Sequence, residues 1–101
     1  PRLPPPAPED VPRNLPEPEV ANAMVRAEFG LEIRQFRNWS VEDVSKWVKL
    51  VTGYADVAGV FVEEALDGAQ VIVMDLQYLR NDLLFPFAPA CRLEEALIDI
   101  R

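Results

Sequence analysis

Trp39-Ser40-Val41-Glu42-Asp43-Val44-Ser45-Lys46-Trp47-Val48, followed by Phe61 and then Leu66-Asp67-Gly68, is the stretch on which the fold turns. Ser40 with Asp43 three residues later has the form of a capping box, in which the serine oxygen accepts from the third helical amide and the carboxylate reaches back to the cap amide. A helix start is therefore predicted at Ser40. Trp39 before the cap and Val44 at the fourth helical position suit a hydrophobic staple. Val44, Trp47, Val48 and Val51 keep the helical spacing of one buried stripe. Gly53 supplies the stop, so this helix is expected to run to about Thr52.

Downstream, Tyr54, Val57, Val60 or Phe61 and Ala65 predict a second helix ending near Leu66, after which Asp67 can cap a third, short one. Asp67-Gly68 is also a hairpin signal, and Val71-Ile72-Val73-Met74 is strand-like by propensity. A hairpin needs alternation on both sides. Val60-Phe61-Val62-Glu63-Glu64-Ala65-Leu66 does not alternate, which favours the helix over the hairpin. Asp75 is placed to cap a fourth helix carrying Leu79 and Leu83, with Pro86 at or just beyond its end. A final helix is expected from about Ala88, with Pro89 in the first turn where its missing amide is harmless. Leu93, Leu97 and Ile100 give that helix its stripe, leaving Glu94, Glu95 and Asp99 to face water. Trp39, Trp47, Phe61, Leu79, Leu93 and Leu97 are assigned to the core, and Cys91 is read as a small buried hydrophobe.

Upstream, residues 1–18 hold eight of the ten prolines and read as a disordered linker sampling extended polyproline II. Pro4-Pro5-Pro6 with Pro8 could fill an aromatic-lined groove, but solvated spacing accounts for the composition without a partner. Over residues 19–29, Val20, Met24 and Ala27 recur at helical intervals, with Pro18 suited to the first turn and Gly30 to the stop. Leu31, Ile33 and Phe36 form a sparser apolar series. Residues 19–37 are thus either an arm packed loosely on the domain or a docking helix for another protein.

Composition narrows the function. A unit of roughly 60 to 70 residues buries only about 60% of its unfolded surface, enough for one modest core but not for a deep substrate cavity. Surface binding is its natural use. Residues 39–101 carry five basic residues against eleven acids, so the net charge of −7 sits almost wholly there. Nucleic acid and anionic membranes reward clustered Lys and Arg, whereas Lys46, Lys49, Arg80, Arg92 and Arg101 are scattered, leaving room for one local basic patch. With Cys91 alone and no His, neither an internal disulfide nor a Cys/His metal site is expected, and an intracellular setting follows. No cofactor, small-molecule substrate or membrane partner is expected, and without His a catalytic constellation would need Asp, Glu, Lys or Cys91 in a cleft this small domain has little room for. Beginning at Pro1 without Met, the chain reads as a piece of a longer protein.

Five short helices in this order resemble the sterile alpha motif (SAM) domain over residues 38–101. The family opens with Trp-Ser/Thr-Val-x-x-Val and places a Phe before Ile-Asp-Gly-x-x-Leu-Leu-x-Leu; here these are Trp39-Ser40-Val41 with Val44, Phe61, Leu66-Asp67-Gly68 and Val71-Ile72-Val73-Met74. Leu79 is the next signpost. Phe87-Ala88-Pro89-Ala90-Cys91-Arg92-Leu93 is similar to the last-helix segment of Polycomb-group members such as polyhomeotic and sex comb on midleg. Three positions depart from the family, Leu84 and Ala88 standing where Gly is usual and Leu76 where an acidic residue is often found. Leu84 either keeps a left-handed backbone or the turn over residues 84–87 is shifted.

The resemblance implies an all-α, compact five-helix bundle with a long C-terminal helix, acting as a protein-protein interaction module in a scaffold or transcriptional regulator. It implies head-to-tail self-association, or pairing with another SAM domain, through two different surfaces. The mid-domain surface would comprise Glu63, Glu64, Asp67, Asp75 and Leu76, and the end-helix surface Phe87, Ala88, Pro89 and Arg92. Leu76 either contacts a partner or leans on its own core. An open contact of this kind repeats into a helical polymer, although a domain this acidic repels its own copies and so favours a more basic partner. A nuclear setting follows from the Polycomb-type likeness. Two other readings stay open, a monomeric docking module for a kinase or receptor, and an RNA-hairpin binder, which would need a basic cluster.

Overall fold

The capping box at Ser40 forms. In the computed structural model, which describes residues 14–101, the Asp43 amide donates to Ser40 Oγ at 3.1 Å and the Ser40 amide to Asp43 Oδ2 at 3.3 Å. The helices are α1 (Pro18–Phe29), α2 (Val41–Thr52), α3 (Ala55–Glu63), α4 (Gly68–Val71), α5 (Leu76–Asn81) and α6 (Phe87–Ile100), with a 3-10 helix (Ile33–Asn38) between α1 and α2. α2 stops at Gly53, whose φ of 79° turns its amide back to the Lys49 carbonyl at 2.8 Å. Buried Thr52 then donates its hydroxyl to the Val48 carbonyl and accepts from the Tyr54 amide, leading the chain into α3.

The hairpin alternative at Asp67-Gly68 is resolved by a second capping box. Asp67 Oδ1 accepts from the Gln70 amide at 3.1 Å while Gln70 Oε1 accepts from the Asp67 amide at 3.0 Å. A cap therefore starts a helix where propensity alone would allow a hairpin, and no strand occurs among the described residues. α3 ends at Glu63, short of the expected Leu66, because the chain leaves it through a left-handed Ala65 (φ 53°). The Leu66 amide reaches the Phe61 carbonyl and the Ala65 amide that of Val62, a Schellman ending on a residue with a Cβ. Leu84, at φ 62°, takes the left-handed alternative too. Each such residue costs roughly 1–2 kcal/mol.

The core gathers every residue assigned to it, Trp39, Trp47, Phe61, Leu79, Leu93 and Leu97. Phe36 from the 3-10 helix joins them, its ring 4.6 Å from Trp39 and 4.9 Å from Trp47, edge-on to the latter. Burying such a ring is worth roughly 2–3 kcal/mol. Phe61 stacks on Phe85 at 5.6 Å. Gly68 is required by close approach, since a Cβ there would lie 1.7 Å from the Phe36 carbonyl oxygen; its amide donates to the Trp39 carbonyl.

α1 buries a different stripe from the one its valine and methionine suggest. Val20 and Ala27 are exposed and Met24 only partly covered, whereas Pro18, Ala21, Asn22 and Val25 face inward. The cause is Asn22. Its Oδ1 accepts from Trp47 Nε1 at 2.7 Å, and its Nδ2 donates to the Ala96 carbonyl at 2.9 Å and to Asp99 Oδ2 at 3.0 Å. One polar side chain satisfies a buried indole and an α6 carbonyl, and that outweighs burying Val20. Asp99 is exposed as expected while accepting from Asn22, whereas Glu94 is half-buried, its Oε2 accepting from the Leu76 amide at 2.7 Å. Pro18, expected at the end of the linker, opens α1, and the Pro16 carbonyl accepts from Arg92. The polyproline expectation for residues 1–13 lies outside the described residues.

Candidate protein-interaction surfaces

The mid-domain surface is built from helix ends. Asp67 and Asp75 are the N-caps of α4 and α5, Asp75 Oδ1 accepting from the Tyr78 amide at 2.9 Å, so both carboxylates are held in place by the backbone they cap. Glu63 ends α3 and Glu64 follows it, both exposed. Leu76 is half-buried and packs against the core, while its amide is capped by Glu94 from α6. The Asp75 carboxylate stands on a groove of about 430 Å³ lined by Leu66, Gln70, Val73, Met74 and Tyr78. Val73 is 77% exposed, an apolar side chain presented to solvent beside carboxylates. Arg101 pins the turn beneath it by donating to the Ile72 carbonyl at 2.9 Å and to that of Met74.

Sequence reasoning missed Val73 and Tyr78, having assigned 71–74 as one apolar run. The signal was available in the third capping residue: Asp75 starts a new helix, so the residues just before it lie in the connection from α4 rather than on a helix face.

The four residues expected at the end-helix surface differ in exposure. Phe87 is 61% exposed at the first position of α6 and Ala88 is half-buried, but Pro89 is buried. Arg92 Nε donates to the Val51 carbonyl at 2.6 Å, and another guanidinium nitrogen to the Pro16 carbonyl. That side chain ties α6 to the end of α2 and the entry to α1. The cation beside Phe87 is instead Arg80, its guanidinium carbon 5.6 Å from the ring centroid and its Nη1 donating to the Phe85 carbonyl at 3.1 Å. No side chain caps α6, and with Pro89 lacking an N–H, the Phe87 and Ala88 amides are its first-turn donors. Leu84, half exposed, precedes them on the same turn.

Cys91, expected to be buried, is only half-covered. Burial and then the carboxylates of Glu95 and Glu94 push its thiol up, against a lowering by Arg80, so it stays protonated and weakly nucleophilic at neutral pH. Lys46 and Lys49, the only lysines of the chain, are brought to the rim of a second apolar groove with Leu15, Pro16, Phe29 and Leu50. No group of three or more metal-ligating side chains, and no helix long and apolar enough to cross a membrane, occurs among the described residues.

No family model matches the sequence. Human "Sterile alpha motif domain-containing protein 7" is 28% identical over 58 residues, 57% of this chain, which spans only 13% of that protein's length. Among solved structures, the polyhomeotic SAM domain superposes with a TM-score of 0.61 at 24% identity, covering 65% of this chain and 94% of that one. The hetero SAM domain structure of Ph and Scm gives 0.58 at 24% identity, covering 65% and 97%. These likenesses carry the fold: this chain has the SAM-domain fold.

Proposed function

We propose that this chain is a protein-protein interaction module that associates head to tail, the Phe87 end of α6 in one copy or SAM partner entering the mid-domain groove of the next. The observation that carries it is the pairing of opposites on one molecule: exposed Phe87 with Arg80 at one end, and an apolar groove edged by Asp75 with exposed Val73 at the other. Apolar contact supplies the affinity. The charges set orientation, because an arginine and two helix amides complement carboxylates. The Ph and Scm SAM domains, solved together as a hetero structure, support pairing of this kind. The interacting unit would be residues 38–101, with 19–37 as its amino-terminal brace. Glu63, Glu64 and Asp67 would extend the acidic side, Leu76 would back it, and Ala88, Pro89 and Arg92 would shape the opposite one. Binding rather than catalysis, in a nuclear scaffold or transcriptional regulator, completes the proposal.

Complementation tests it. Phe87→Arg and Val73→Arg each remove one surface, so each variant alone is expected to stay monomeric. Mixed, they retain one intact surface apiece and should form a single 1:1 dimer by sedimentation. A mixture that stays monomeric would contradict the head-to-tail arrangement.

A further inference from the structure

Two residues with a Cβ hold a left-handed backbone, and they differ in what they present. Ala65 has almost no side chain, whereas Leu84, at φ 62°, carries a large apolar one that is 48% exposed. Glycine adopts this conformation without strain, so the backbone at 84 disfavours leucine. Nor does the core require it there. Leu83 and Phe85 on either side are 3% and 1% exposed and already supply the buried contacts of this turn. Strain kept on a side chain left half in water is an outlier of the kind found at binding sites.

We infer that Leu84 is a contact residue of the end-helix surface, seated with Phe87 in the mid-domain groove of a second copy of this chain. This rests on the head-to-tail reading and deepens it. Leu84 and Phe87 flank the turn into α6, and Arg80 lies over the Phe87 ring. The groove matches them in kind, with Leu66, Val73 and Met74 for the apolar side chains and Asp75 for the cation. Its consequence is a trade: the substitution that relaxes the backbone removes the contact, so fold stability and association move in opposite directions.

The test compares wild type, Leu84→Gly, Leu84→Ala and Phe87→Arg by thermal unfolding and by sedimentation over a concentration series. Leu84→Gly is expected to raise the unfolding midpoint while weakening association at least tenfold. Leu84→Ala, which keeps the strain, should weaken association without raising the midpoint. If Leu84→Gly associates like wild type while Phe87→Arg does not associate, the inference falls and the head-to-tail reading stands. If Leu84→Gly lowers both midpoint and association, the side chain serves the fold and the inference falls likewise. A wild type that is monomeric throughout overturns the inference and, with it, the self-associating form of the head-to-tail reading.

Discussion

In the seam where α1 and the 3-10 helix meet α2, α4 and α6, a buried amide makes three hydrogen bonds, an aromatic cluster closes over Phe36, and a glycine admits the one carbonyl that must pass close by. In the turn from α5 to α6, a leucine sits in a strained backbone, Phe87 stands in solvent, and the helix that follows has no side-chain cap. The first region satisfies its groups internally and so holds the fold. The second leaves apolar area, amides and strain unresolved, in keeping with the partner surface proposed for it. Both regions lie against α6, at its opposite ends.

Substitutions can break that contrast. The largest effect is expected in the seam at Gly68→Ala: a Cβ placed 1.7 Å from the Phe36 carbonyl oxygen meets backbone rather than a flexible side chain. Overpacking of that kind should cost about 3 kcal/mol, read as a shift in the urea midpoint at unchanged slope. A stability within 1 kcal/mol of wild type would mean that the 3-10 helix is free to move off α4. Asn22→Leu should follow at about 2 kcal/mol, since it leaves the Trp47 indole N–H and the Ala96 carbonyl buried without Asn22. Its tryptophan emission should shift if the seam loosens. The smallest effect is expected at the turn and has the opposite sign, Leu84→Gly stabilising by roughly 1 kcal/mol as the left-handed strain is relieved.

The same contrast governs what the sequence disclosed. Local chemistry was legible: Ser40 with Asp43, Asp67 and Asp75 announced helix starts, and the stripe from Val44 to Val51 announced the core face, because a cap and its helix lie within four residues of each other. Asn22 was not. Its value comes from Trp47, Ala96 and Asp99, residues 25 to 77 positions away, so the apolar pattern pointed to Val20 and Met24 instead. At the candidate surfaces, Phe87 was found because it opens a helix, and Asp75 because it caps one. Arg92 was named for its charge and is held by carbonyls of Val51 and Pro16, while Arg80, in a different helix from Phe87, lies over its ring only once the turn is folded.

Mass against concentration tests head-to-tail association most directly, by light scattering coupled to gel filtration on the wild-type chain beside Phe87→Arg. Two different surfaces that do not close on each other predict a wild-type mass rising with concentration past twice the 11.4 kDa monomer, and a Phe87→Arg chain that stays at the monomer mass with an unchanged unfolding midpoint. A wild-type mass fixed at 11.4 kDa across the series, or growth that Phe87→Arg leaves intact, would contradict it.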